Sequence, residues 1–207
     1  MNVFVLCTGR CGSTTFVEAC RHARNYTAAH ESRAGLLGDA RLSYPPNHIE
    51  ADNRLSWFLG RLESAYGDEA FYVHLKRDEL ATARSFVPRY DSGIIRAYRS
   101  DILLGGAPDA DPLAVCLDYC ATVNANIESF LRGKSRTAIV SLENVKEDFE
   151  NFWHAVGARG DLRAALSEWD NFYNASRTRA GVVSPRGSTL ARLARRFGRA
   201  VKHLRTS

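Results

Sequence analysis

Residues Thr8 to Thr15, reading T-G-R-C-G-S-T-T, constrain the fold more than any other stretch of this 207-residue chain. They follow the apolar run Val3-Phe4-Val5-Leu6 and lead into a helical pattern from Thr14 to about His22, with Phe16, Val17 and Cys20 on one side. A buried strand, a glycine-containing turn and a helix start together make a ready-made anion site. Backbone N–H groups converge there, and the helix dipole favours negative charge. Gly9 and Gly12 let the backbone approach an oxyanion closely, Ser13, Thr14 and Thr15 add hydroxyl donors, and Arg10 adds a cation. The expected ligand is a phosphate or a chemical relative of phosphate; a plain βα turn without ligand is the bland alternative. The ATP- and GTP-binding loop G-x-x-x-x-G-K-[ST] is a different pattern. Here only two residues separate the glycines, and no Lys follows the second.

A second segment points the same way. Phe71-Tyr72-Val73-His74-Leu75-Lys76 reads as a strand, followed by Arg77 and, eight residues later, Ser85. Arg77 presents a fork of donors suited to phosphate. Ser85, two turns into the next helix, adds a hydroxyl from the same side. Taken singly, Arg77 also fits a surface ion pair with Asp78 or Glu79, which is worth very little.

In this order, the two segments resemble the 5′-phosphosulfate loop, typically [GT]-x-x-[RK]-[SG]-G-[ST]-[ST], and the 3′-phosphate segment of sulfotransferases. Asp78-Glu79 stands where most members carry Asn-Pro or Asp-Pro. Looser echoes lie at Thr137–Val145, similar to a late strand ending in R-Y-E-D-L, and at Phe172–Arg177. Glu143, within the first echo, reads more simply as a first-turn acid of the next helix. The resemblance spans roughly residues 2–180 and implies a P-loop-like α/β fold with a parallel sheet between helix layers. It implies 3′-phosphoadenosine 5′-phosphosulfate (PAPS) as sulfuryl donor and a hydroxyl acceptor, a glycan or lipid-linked saccharide. The cofactor-binding residues it implies are Gly9, Arg10, Cys11, Gly12, Ser13, Thr14, Thr15, Arg77 and Ser85. No aspartate stands out after a strand as a Mg²⁺ ligand, so no metal is expected.

An acceptor hydroxyl needs a base. Ala29-His30-Glu31-Ser32-Arg33 follows the second expected strand, where sulfotransferases carry similar phrases such as G-E-E-T-R or R-E-V-H. Glu31 is the first choice, as a carboxylate tuned by burial. His30 is the alternative, since its pKa naturally lies near neutrality. Arg10 joins them as the catalytic cation, and Arg33 is placed on the acceptor. The bland reading of Glu31 is an ion pair with Arg33 or a turn cap. Two rival functions stay open: a P-loop kinase of small molecules, and a non-catalytic nucleotide-binding protein.

The rest of the chain agrees with one domain over residues 1–187. Strands are expected near 2–7, 26–29, 48–50, 71–76 and 137–142. Helices are expected near 14–23, 53–66, 78–87, 112–131, 146–157 and 161–169. Alternating strands and helices predict a parallel sheet covered on both faces. Segments 32–47 and 90–111 read as loops shaping an acceptor pocket, where Arg41, Arg89, Arg96 and Arg99 meet an anion or simply face solvent. Cys7, Cys11, Cys20, Cys116 and Cys120 form no C-x-x-C pair. Reduced thiols in a cytoplasmic setting are expected. Residues 1–7 carry no basic leader, so no secretory signal is expected.

Charge sets the tail apart. Residues 171–207 hold nine Arg and Lys and no acid, whereas the preceding residues hold 19 basic and 23 acidic side chains. Leu190, Leu193, Phe197, Val201 and Leu204 share one face of a basic amphipathic helix over 188–207. Three partners are weighed for it: the body itself, a second copy as a homodimer, or an anionic membrane at the inner face. No recognition motif for nucleic acid accompanies the charge.

Overall fold

The computed structural model describes residues 1–106 and 109–171. The chain divides into two units, Met1–Ala175 and Ser176–Ser207. The expected tail helix over 188–207 and the echo at Phe172–Arg177 lie outside the described residues.

Five strands, β1 (Val3–Leu6), β2 (Thr27–His30), β3 (His48–Ala51), β4 (Phe71–Lys76) and β5 (Thr137–Ser141), form one sheet in the order β2-β3-β1-β4-β5. Every pairing is parallel. All four residues of β1 are fully buried, as a continuous apolar run in the middle of a parallel sheet must be. Their side chains divide by pleat. Val3 and Val5 join one core with Phe16 and Val17 of α1 (Ser13–Cys20) and Phe149 and Phe152 of α6 (Val145–Ala155). Phe4 and Leu6 join a second core on the opposite face. There they meet Leu62 of α2 (Leu59–Tyr66), Ala83 of α3 (Glu79–Phe86), Ile95 of α4 (Gly93–Ala97) and Tyr119 of α5 (Pro112–Leu131). With α7 (Leu162–Ser167) on the first face, the result is three layers, helices–sheet–helices.

The adjacent strands β1 and β4 diverge in where they send the chain. From β1 the chain passes through α1, on the first face, toward β2 and β3; from β4 it passes through α3 and α5, on the second face, to β5. Such a switch point opens a crevice at the carboxyl ends of the adjacent strands, where ligands of open α/β sheets bind. Arg10 follows β1 and Arg77 follows β4, so both stand at this crevice.

Local chemistry explains the helix starts. Asp78, Asp111 and Asp161 each accept a backbone N–H from the first turn of α3, α5 and α7, satisfying donors that a helix start leaves open. The expected continuous helix over 53–66 is instead a 3₁₀ turn, Asn53–Trp57, followed by α2. Phe58 breaks it by leaving helical backbone geometry (φ −120°, ψ 21°). The segment 90–111, expected to be loop, contains α4 and a π-helical turn over Tyr98–Ile102. Ile95 and Tyr98 anchor it in the second core, a tertiary gain that short-range pattern does not announce. Among the described residues, no helix is long and apolar enough to cross a membrane.

His74 of β4 faces the second layer and is 1% exposed, with Nε2 3.2 Å from Asn124 Oδ1 on α5. Burial pushes its imidazole down from 6.5 to about 4, against the opposing Asn124 hydrogen bond. The unfolded chain therefore binds a proton that the folded chain refuses. Stability from this group is full above its unfolded pKa and is lost as pH falls toward 4, by up to about 3 kcal/mol. Urea unfolding of wild type and His74→Gln at pH 7 and pH 4.5 checks this: the variant should lose less stability on acidification. Equal losses would contradict the assignment.

Candidate functional site

The turn between β1 and α1 is held in an unusual backbone. Gly9, Arg10 and Gly12 all have positive φ, at 84°, 59° and 89°. Positive φ and tight surroundings favour glycine at both ends of this turn. A side chain at position 9 would sit 3.1 Å from Asn53 Nδ2, and one at position 12 would sit 3.2 Å from Leu142 Cδ1. Arg10 bears the strain as a non-glycine residue, a feature that concentrates at functional sites.

The floor of the turn is polar and bonded. The Thr8 carbonyl accepts from the Tyr119 hydroxyl at 2.8 Å and from Asn53 Nδ2 at 3.3 Å, and the Cys7 carbonyl accepts from Ser56 Oγ at 3.3 Å. These bonds tie the turn to α5 and to the 3₁₀ turn after β3, fixing amides whose direction an anion would feel. Cys7 and Cys11 point inward and are fully buried. Contact with the Cys7 thiol and the nearby amides of Gly9 and Cys11 lowers the Cys11 thiol against its own burial, while the same pair raises Cys7. The buried Cys11 side chain leaves only the backbone of this residue to face the turn. Thr15 is also buried, whereas Ser13 and Thr14 stay half-buried at the helix start.

Two sequence segments 75 residues apart come together above this floor. Arg10 Nε donates to Ser85 Oγ at 3.1 Å, and Arg77 Nη1 donates to the Arg10 carbonyl at 3.1 Å. Arg89 Nη1 donates to the Ser85 carbonyl at 3.3 Å. The Arg10 guanidinium is held below its usual value, first by burial and then by the charges of Arg89 and Arg77. A dense positive cluster thus lies beside the N-terminus of α1, whose N-cap Gly12 supplies no side-chain acceptor.

On the other flank, His30 ends β2 and brings Nε2 within 3.0 Å of Ser13 Oγ. Glu31, next in sequence, turns away with φ 51°. Its carboxylate pairs with Arg54 Nη1 at 2.7 Å, about a third exposed on each side. The ion pair in the bland reading of Glu31 is thus made with Arg54 and not with Arg33. Arg33 donates instead to the Ala40 carbonyl at 2.8 Å and lies over the Tyr44 ring, so its guanidinium braces its own loop.

One further expectation is corrected by burial, and two carboxylates nearby have specific partners. Arg41, expected at an acceptor pocket or in solvent, is 1% exposed and pairs with Asp52 Oδ2 at 2.6 Å. Asp52 is an aspartate directly after β3, where no metal-binding candidate stood out, but it is fully buried and committed to Arg41 and to the Arg54 amide. Glu143 is in the 3₁₀ turn Leu142–Asn144, and its carboxylate accepts from the Asp78 amide at 2.8 Å and from the Ser141 hydroxyl at 2.6 Å. It links the ends of β5 and β4 and so does more than favour a first turn.

Sequence reasoning missed Asn53, Arg54 and Tyr119, and it set Arg89 aside as a surface or acceptor residue. Only Arg89 had a local signal, standing four residues after Ser85 and thus one helical turn away. A scan against protein-family models and a search of curated proteins found no match to this chain.

Proposed function

We propose that the protein is a sulfotransferase that moves a sulfuryl group from PAPS to an acceptor hydroxyl. The observation that carries this reading is the hydrogen bond from Arg10 to Ser85. It joins the turn after β1 to the Arg77–Ser85 segment at the switch point, as one ligand bearing two separate phosphates requires. In this reading the loop amides, Ser13 and Thr14 hold the 5′-phosphosulfate at the start of α1. Arg77 and Ser85 hold the 3′-phosphate. The committed state of Asp52 favours this over a kinase, since Mg-nucleotide sites draw on a carboxylate near the phosphates.

Sulfuryl transfer is chemically close to phosphoryl transfer, so positioning and electrostatic stabilisation dominate. The acceptor oxygen forms a bond to sulfur as the bond from sulfur to the bridging oxygen breaks. 3′-Phosphoadenosine 5′-phosphate (PAP) leaves with the new negative charge. Arg10 and the N-terminus of α1 stabilise that charge. His30 is the better-placed base, because Nε2 already lies within hydrogen-bonding reach of a hydroxyl at the loop. Glu31, occupied by Arg54, shapes the acceptor side. The acceptor class of glycan or lipid-linked saccharide belongs to the same proposal, as do contact of the basic tail with a membrane and a cytoplasmic location.

The test is incubation with sulfur-labelled PAPS and fractionated cell extract. Label should pass to a hydroxyl compound only in the presence of the protein. PAP binding without any labelled product would leave a nucleotide-binding protein and overturn the enzyme reading. At the level of single residues, Arg77→Ala should weaken PAP binding by about 1.5–3 kcal/mol, the scale of a charge-assisted hydrogen bond. AMP, which lacks the 3′-phosphate, should be affected far less. Calorimetry giving equal losses for both nucleotides would remove Arg77 from the 3′-phosphate.

A further inference from the structure

Glu50, on β3, has no exposed surface. A carboxylate in such a place costs stability unless donors surround it. Its partners come from two directions. His48, two residues earlier on the same face of the strand, brings Nε2 within 3.0 Å of Oε2, and its Nδ1 lies 2.7 Å from the Thr27 hydroxyl at the start of β2. Ser32 donates twice from beyond the end of β2, its amide to Oε1 and its hydroxyl to Oε2, each at 2.6 Å.

The two Ser32 bonds act on a strained turn. Glu31, between His30 and Ser32, has φ 51°, a left-handed geometry that a non-glycine residue keeps only where its surroundings over-determine it. The Glu31 amide donates to the Ala51 carbonyl at 3.0 Å, one step beyond the pairing of His30 with Ala51. Glu50 supplies the next two constraints through Ser32. Ser32 is itself exposed, so burial of its own side chain does not hold it in place. Immediately before this turn stands His30, whose Nε2 lies 3.0 Å from Ser13 Oγ.

We propose that Glu50 is a positioning residue: from inside the fold it fixes the turn at Glu31–Ser32 and so holds the His30 imidazole against Ser13 at the start of α1. The proposal rests on the reading of His30 as the base. Glu50 is sealed from an acceptor and works only through Ser32. A base acts from within hydrogen-bonding reach of the proton it takes, and a displacement of about 1 Å, caused away from the chemistry, can cost about 100-fold in rate.

The experiment compares wild type with Ser32→Ala, Glu50→Gln and His48→Leu. It measures the melting temperature, PAP affinity by calorimetry, the His30 ring nitrogen signals by NMR, and single turnover of sulfur-labelled PAPS with the extract fraction that accepts label. Ser32→Ala and Glu50→Gln should shift the His30 signals and slow transfer about 10- to 100-fold, with PAP affinity nearly unchanged. His48→Leu strips a partner from the buried carboxylate but leaves both Ser32 bonds, so it should lower the melting temperature and spare the His30 signals and the rate. A merely structural Glu50 gives another pattern: rates that follow melting temperature across the three variants, or His30 signals indifferent to Ser32→Ala. Either result overturns the proposal. Should Glu50→Gln fail to fold, Ser32→Ala decides. An active His30→Ala overturns the reading of His30 as base and this assignment with it. Turnover that needs His30 but ignores both Ser32→Ala and Glu50→Gln overturns this assignment alone.

Discussion

Asp52→Ala is expected to destabilise the protein by about 3–5 kcal/mol, the usual cost of leaving one member of a buried ion pair uncompensated. Asp52 is fully buried and Arg41 is 1% exposed. Burial pushes the Asp52 carboxyl up, and the Arg54 amide and Arg41 guanidinium pull it back. Without Asp52, the Arg41 guanidinium keeps, among the described residues, the Tyr44 hydroxyl at 3.1 Å and the face of Phe58. Because Arg41 belongs to the segment between β2 and β3, its release should also loosen the loop beyond His30. Replacing both partners by apolar residues, as in Arg41→Met with Asp52→Leu, should recover much of the loss. Denaturant unfolding of the two single variants and the double variant measures this directly. Additive losses would mean that the pair is not coupled.

The second large effect is on turnover. In the proposed reaction, His30→Ala should lower the rate about 100-fold or more, the usual contribution of a general base, with PAP affinity nearly unchanged. Glu31→Gln should cost much less, since it removes a partly exposed ion pair with Arg54 whose contribution is small. Single-turnover measurements separate the two. A crippled Glu31→Gln beside an active His30→Ala would assign the base to Glu31, the choice that sequence alone favoured.

That choice illustrates what a sequence can and cannot carry. The five strands and their parallel pairing were legible because each strand is a short apolar or β-rich run between turn signals, and βα alternation leaves few topologies. The loop from Gly9 to Thr15 was legible for the same local reason. Its glycines announce the positive φ angles observed at Gly9 and Gly12. Contacts across the sheet left no such trace. Nothing near Glu31 reveals that Arg54, 23 positions later, takes its carboxylate, or that His30 lies against Ser13. Arg41 looked like any exposed arginine, because burial of a charge depends on a partner, here Asp52 just after β3. The helical turns over 93–102 were hidden too, since each turn is only five residues long and gains its place by packing in the second core.

The central claim is that one crevice, between β1 and β4, holds a nucleotide with separate 5′ and 3′ phosphates. Calorimetric titration with PAP in the presence of a chelator tests it most directly, with AMP and Mg-ATP as comparisons. The account predicts that PAP binds without metal, more tightly than AMP, and that Arg77→Ala removes most of the difference. Binding of Mg-ATP with no measurable affinity for PAP would contradict it.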